Sequence, residues 1–248
     1  METITDLACE LLRRTPKQIT GLTVTITEHA GIITQKTIIS STSASRSIGK
    51  PIGTYINLDT TNGKPRNIIR TLQYTLASLI SNHNKILIVG LGNNNFIADS
   101  LGPSILKLIK TNTQLVTFEP NVFGVTGINS VAAIQAITRL VHPTVVIVID
   151  SLVSASPTRI GTNYQICTSG ITPGSGIGRD NKTINCKLLG VPVLAIGVPV
   201  CTIMTTMQNQ IYHVVPKDID VLIRDCSKII AQSINTLESR HSYDVTKP

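Results

Sequence analysis

At 248 residues, with 42% hydrophobic and 15% charged side chains, the chain has enough apolar material for a substantial core, which argues against disorder over most of its length. With no tryptophan and three phenylalanines, the core falls to Ile, Leu, Val and Ala, and an aromatic stacking platform for single-stranded nucleic acid is not expected. The net charge of +8 is scattered, its densest knot being Arg13-Arg14 with Lys17, so a solvated surface accounts for it and no direct nucleic-acid partner is expected.

The five cysteines, Cys9, Cys167, Cys186, Cys201 and Cys226, are far apart, form no CxxC pair and have no histidine at ligand spacing. Free thiols in a reducing compartment are expected, with no structural zinc. The start, Met1 to Asp6, has neither a basic n-region nor an apolar core, so it does not read as a signal peptide. The longest apolar stretch, Leu188 to Cys201, is broken by Gly190, Pro192, Gly197 and Pro199 and is too short for a membrane span. A cytoplasmic protein with no membrane partner is the expectation.

In chain order, residues 1–14 read as a short helix capped by Thr5 or Asp6, with Leu7, Leu11 and Leu12 on one side. Leu22 to Ile26 and Ile32 to Ile39 alternate as two strands joined at Ala30-Gly31. Ser40 to Ser47 reads as a polar loop. The stretch from Gly49 leads into a strand through Tyr55-Ile56, and Arg66 to Ser81 into a helix. From Ile86 the pattern is β-α-β: strand 86–90, helix 101–110, strand 114–118, helix 128–141, strand 144–149. Strands near 163–167 and 191–197 follow. A closing helix, Pro216 to Leu237, starts at its proline and carries Ile219, Leu222, Ile223, Ile229, Ile230 and Ile234 at helical spacing. Glu238 to Pro248 reads as a frayed tail. The fold class is α/β: a mainly parallel central sheet flanked by helices, with an N-terminal β-rich elaboration, all folded as a single unit over 1–248.

Asp150 ends the run Val145-Val146-Ile147-Val148-Ile149, and Asp99 follows the run Ile86-Leu87-Ile88-Val89 through the loop Gly90-Leu91-Gly92-Asn93-Asn94-Asn95. Runs without alternation are strands buried on both faces of a parallel sheet, and ligands gather beyond the carboxyl ends of such strands. Two carboxyls sharing one site can hold a single proton, one serving as base toward water and the other as acid toward substrate. Each taken alone also fits a bland role, and Asp99 could cap the helix opening at Ser100.

The Gly90 loop falls short of a dinucleotide fingerprint, because the third glycine of GxGxxG is Asn95, although Glu119 stands where a ribose-binding acid would. Phe123 to Ile128 precedes a helix and would leave backbone N–H groups free at its start. Thr172 to Gly178 holds Gly174, Gly176 and Gly178 around Ser175, enough for a peptide backbone to approach closely. Ordinary turn chemistry explains both loops equally well. There is no GxSxG elbow, and none of the five histidines sits in a nucleophile motif.

Read together, several segments resemble the germination protease family of spore-forming bacteria. They are Thr5-Asp6-Leu7-Ala8, Gly49-Lys50-Pro51 with Gly53 and Tyr55, the stretch Ile88 to Asn93 with Asp99-Ser100-Leu101-Gly102-Pro103, Gly124 to Ile128, Ile149-Asp150-Ser151-Leu152, Gly170 to Gly178, Leu189 to Pro199, and Val215 to Asp220. The resemblance implies an atypical aspartic endopeptidase that degrades small acid-soluble spore proteins at germination in the spore core, without a cofactor or metal, as a homo-oligomer, a tetramer in the family. Its two catalytic aspartates fall on Asp99 and Asp150. Gly92, Asn93, Thr126, Gly127, Gly174, Ser175 and Gly176 would shape the substrate cleft. The implied fold is similar to that of hydrogenase maturation endopeptidases, whose glycine loop also leads to an acid at the spacing of Asn93 and Asp99.

The chain departs from the family in places. Asn94-Asn95 replaces Trp-Asn, Asn129 replaces a glutamate, and the arginine usual after the second aspartate is missing from Leu152 to Ser156. The family's N-terminal propeptide, removed by self-cleavage, is expected to be short or absent. Two rival readings stay open: a metal-dependent maturation-type peptidase with the acids as ligands, and an inactive binding protein on the same fold.

Overall fold

The computed structural model describes residues 5–12, 19–80, 84–174, 182–207 and 210–237. Along them run α1 (Ala8–Leu12), β1 (Leu22–His29), β2 (Ile32–Ile39), α2 (Thr42–Ile48), β3 (Gly53–Asp59), α3 (Pro65–Ile80) and β4 (Ile86–Gly90). Then come α4 (Leu101–Leu106), β5 (Leu115–Phe118), α5 (Phe123–Thr126), α6 (Ser130–Val141), β6 (Val145–Ser154) and β7 (Asn163–Cys167). The described chain closes with α7 (Cys186–Leu189), β8 (Val193–Thr205), β9 (Ile211–Val214) and α8 (Ile219–Asn235).

The strands join one mixed α/β sheet in the order β1-β2-β3-β7-β8-β6-β4-β5, with β9 on the far end of β8. β5, β4, β6 and β8 run parallel, and these carry the expected β-α-β core. The N-terminal β-rich elaboration is continuous with this core, because β3 pairs antiparallel with β7 and β7 antiparallel with β8. Side chains alternate across the sheet. Ile88, Ile147, Ile149, Ile166 and Ile196 face α3, α4 and α8, where Leu72, Leu76, Ile105, Ile223 and Ile230 complete the larger core. Leu87, Val89, Val146, Val148 and Val193 face the other way, onto Val131 and Ile134 of α6 and the leucines of α7. On that second face α1 and α2 cover Tyr55, Cys167 and Ala195.

The β1–β2 hairpin turns as expected, with Ala30 at φ 52° and Gly31 at φ 78°, the left-handed pair of a tight hairpin. Four expectations need correction. The Ser40–Ser47 stretch is no loop but α2: Ser41 caps it by accepting from the Ala44 N–H at 3.0 Å, Gly49 closes it at φ 72°, and Ala44 and Ile48, one turn apart, are buried. The 101–110 helix stops at Leu106, its tail tightening into N–H to i−3 carbonyl turns at Leu108 and Ile109. Pro216 lies outside α8, which starts at Ile219 after Asp218. The 144–149 strand runs on to Ser154, so Asp150 sits inside a strand rather than at its end. The end residues of the expected 1–14 helix and the 238–248 tail lie outside the described residues. Among the described residues no helix is long and apolar enough to cross a membrane.

The close packing that a third glycine would supply is provided by Gly102 instead. A Cβ there would stand 2.3 Å from the Leu91 carbonyl oxygen, and one on Gly90 would stand 2.7 Å from the Gly102 carbonyl. Alanine for glycine in a helix normally gains up to about 1 kcal/mol; here overpacking reverses the sign. Gly102→Ala is expected to cost about 1–3 kcal/mol, read as a lower urea midpoint with unchanged slope.

Candidate active site

β4 pairs with β6 only as far as Gly90 and Ile149, while β6 continues beside β8 through Asp150, opposite Gly197. Where β4 stops, Leu91 N–H makes a last bond to the Ile149 carbonyl at 2.8 Å and the chain swings out into the Gly92–Asp99 loop. The loop closes on itself through Asn93 N–H to the Asp99 carbonyl at 2.8 Å. Gly92 makes this closure possible: it sits at φ 121°, and a Cβ on it would lie 1.9 Å from the Asp99 carbonyl oxygen. The Asn93 side chain accepts from Asn95 N–H at 2.9 Å, so it folds the loop from within. Asn94 ties the loop outward, to Glu119 at 2.5 Å and Lys107 at 3.1 Å. Glu119 is thereby engaged in loop bracing, the structural alternative to a ribose contact.

Asp99 ends the 3-10 turn Ile97–Asp99 and is not the cap of α4; that position belongs to Ser100, whose hydroxyl turns to the Ile97 carbonyl. Asp150 is 9% exposed, and one of its oxygens accepts from Ser151 N–H at 2.9 Å. Burial first, then the charges of Asp99 and Asp6, push the Asp150 carboxyl well above the usual carboxylate range, against a smaller opposing pull from the Ser151 N–H. Asp99 and Asp150 line one cavity of about 690 Å³, within the range of small-molecule and peptide clefts. Two carboxyls of which one is pushed upward can hold a single proton between them, so that one can take a proton from water while the other gives one.

Of the other expected cleft residues, Gly92, Asn93 and Gly174 line the cavity. Thr126 and Gly127 are not among the residues lining it: Thr126 ends α5, Gly127 caps it at φ 68°, and the N–H groups of Val125, Thr126, Gly127 and Ile128 are bonded within the turn. The neighbouring Val122, Phe123 and Asn129 reach the cavity in their place. Ser175 and Gly176 lie outside the described residues.

Three contributors were not anticipated. Cys201 of β8 lines the cavity, and burial with the charges of Asp6 and Asp99 pushes its thiol up to about 11, so it stays protonated and unsuited to nucleophilic attack. His213 of β9 also lines the cavity, on a strand that no pattern in the sequence announced. Asp6 bears on Asp150 from the N-terminal segment, where a helix-cap reading hid it. Among the described residues no three His, Cys, Asp or Glu side chains converge as a metal-holding group.

A family model described as germination protease matches residues 5–215. The germination protease of Caldanaerobacter subterraneus subsp. tengcongensis is 30% identical, over 87% of this chain and 74% of its own. That of Clostridium tetani is 30% identical over 80% and 67%. That of Bacillus cereus is 33% identical over 79% and 62%, so the chain spans between 62% and 74% of the length of these three relatives. Among solved structures, the NiFe hydrogenase maturation protease HycI of Thermococcus kodakarensis aligns with a TM-score of 0.43 and 16% identity, over 64% of this chain and 98% of its own.

The raised Asp150 carboxyl has a consequence for stability. Its neutral form is the one the fold prefers, so its contribution is fully present below the unfolded value near 3.8 and is lost as pH rises through the higher folded value. Asp150→Asn should therefore melt above the parent at pH 7, with a margin that closes as pH falls toward 4. Thermal melts across that range check the sign.

Proposed function

We proceed from the fact that the chain belongs to the germination protease family, and is thus a peptidase, and propose that it is an endopeptidase of atypical aspartic type. The observation that carries the mechanism is the placement of Asp99 and Asp150 in one cavity, with the charge of Asp99 felt by a buried Asp150. Asp99 is the base: it takes a proton from the attacking water as that water adds to the scissile carbonyl. Asp150, protonated at the start, donates to the carbonyl oxygen; as the gem-diol collapses Asp99 passes the water's proton to the departing amine and Asp150 takes back a proton from the gem-diol hydroxyl. Gly92 and Gly174 line the cleft without side chains, which lets a peptide backbone approach closely.

The family resemblance supplies the biology of the proposal. The substrates are small acid-soluble spore proteins, the setting is the spore core at germination, and the working assembly is a homo-tetramer in which each chain acts as one peptidase unit. The placement of the two acids in one pocket favours this reading over an inactive binding protein.

Incubating the chain with a small acid-soluble spore protein and reading products by mass spectrometry tests activity and cleavage position together. Asp99→Asn and Asp150→Asn should each lose about 10²–10⁴-fold in kcat while remaining folded; full retention of cleavage by either variant removes that residue from the mechanism. The singly protonated pair is the productive state, so kcat against pH should trace a bell whose limbs belong to the pair. Activity that climbs steadily into the alkaline range, or that a chelator abolishes and one divalent metal restores, would replace the shared proton with a metal held by the two acids.

A further inference from the structure

Past Gly90, β6 has lost β4 as a neighbour but still pairs with β8 as far as Ser154, through a register shift between Leu152 and Val153. The N-terminal segment bonds its main chain there. Asp6 N–H donates to the Val153 carbonyl at 2.9 Å, and Val153 N–H donates back to the Asp6 carboxylate at 2.8 Å. Gln165 of β7 secures Asp6 from the other side, its amide donating to the Asp6 carbonyl at 3.0 Å and accepting from Ala8 N–H at 2.8 Å. Further along, Glu10 accepts from the N–H groups of Ala155 and Ser156 and pairs with Arg159 at 3.3 Å. Leu7, fully buried, packs with Leu152 between these two sets of polar contacts. The segment thus buckles across the end of the strand that carries Asp150.

We infer that Asp6 is a positioning residue for the reaction: it clamps β6 just beyond Asp150 and sets a negative charge beside that carboxyl. The inference rests on the reading of Asp150 as a catalytic acid. The two roles need different properties of one side chain. The clamp requires an acceptor for Val153 N–H, which an amide oxygen also provides. The charge requires a carboxylate, and with Asp99 it holds the Asp150 proton in place against loss to solvent. Among the described residues, the charged and titratable groups facing Asp150 are Asp99 from the β4 loop and Asp6 from the N-terminal segment, with Cys201 of β8 and His213 of β9 in the same cavity wall.

The test uses the full chain, a small acid-soluble spore protein as substrate, pH profiles of kcat, and thermal melts. Asp6→Asn should lower kcat at its optimum less than tenfold but move the alkaline limb roughly half a pH unit or more toward acid, because one negative charge near Asp150 is gone. Asp6→Ala should lose the clamp as well, with kcat falling about 10²-fold, the scale expected for a misplaced reacting group, in preparations still folded at the assay temperature. An unshifted alkaline limb in Asp6→Asn overturns the inference even if Asp6→Ala fails to fold. So does an Asp6→Ala variant whose kcat matches the parent. Asp150→Asn run alongside separates the two claims: if it cleaves normally, the catalytic reading itself falls; if it is inactive while both Asp6 variants behave as the parent, only the role of Asp6 falls.

Discussion

Two neighbouring parallel strands stop at different heights, and the rest of the site depends on that. Because β4 ends at Gly90 while β6 continues, the sheet has a step at which backbone groups on one strand lose their ladder partners. Buried N–H and C=O groups must be satisfied somehow. Leu91 meets the first of them, Asp6 meets those of Val153, and Glu10 those of Ala155 and Ser156. The cavity opens at this step, between a strand that continues and a loop that departs.

The step also gathers like charge. Asp150, Asp99 and Asp6 converge where desolvation already penalises ionisation, and the carboxyl of Asp150, the most buried of the three, is pushed well above the usual carboxylate range. Such an arrangement opposes stability, as functional sites commonly do. The two large apolar clusters on the faces of the sheet offset it, and both are anchored on β4 and β6, the strands that deliver the acids. Rigidity close to the two acids thus comes from Ile, Leu and Val packed on the strands that carry them.

Much of this was legible because burial on both faces writes an unbroken apolar run, and such runs lead directly to Asp99 and Asp150. The glycine loop was legible too, although the reason for Gly92, a carbonyl approaching from seven residues further on, is a contact that only the fold reveals. What escaped the sequence depended on distant partners. α2 is polar on its surface and is decided by two buried residues, Ala44 and Ile48. β7 reads as any strand, and its antiparallel place between β3 and β8, which fuses the two halves of the sheet, follows from tertiary pairing. Asp6 resembled a helix cap because local spacing cannot show that its partner is Val153. Thr126 and Gly127 drew attention as a helix-opening loop, whereas the short α5 turn consumes their N–H groups.

The placement of the thiols turns the molecule into its own opening gauge. Cys186 is exposed, whereas Cys9, Cys167, Cys201 and Cys226 are buried in α1, β7, β8 and α8 respectively. An alkylating reagent would mark Cys186 at once and Cys9 and Cys226 only when the elements that bury them open, so the order of labelling ranks the local opening of those two parts of the structure. Cys9 reports release of the N-terminal buckle, and Cys226 reports the closing helix. A ligand that settles in the cleft would reveal itself by slowing Cys201 alone.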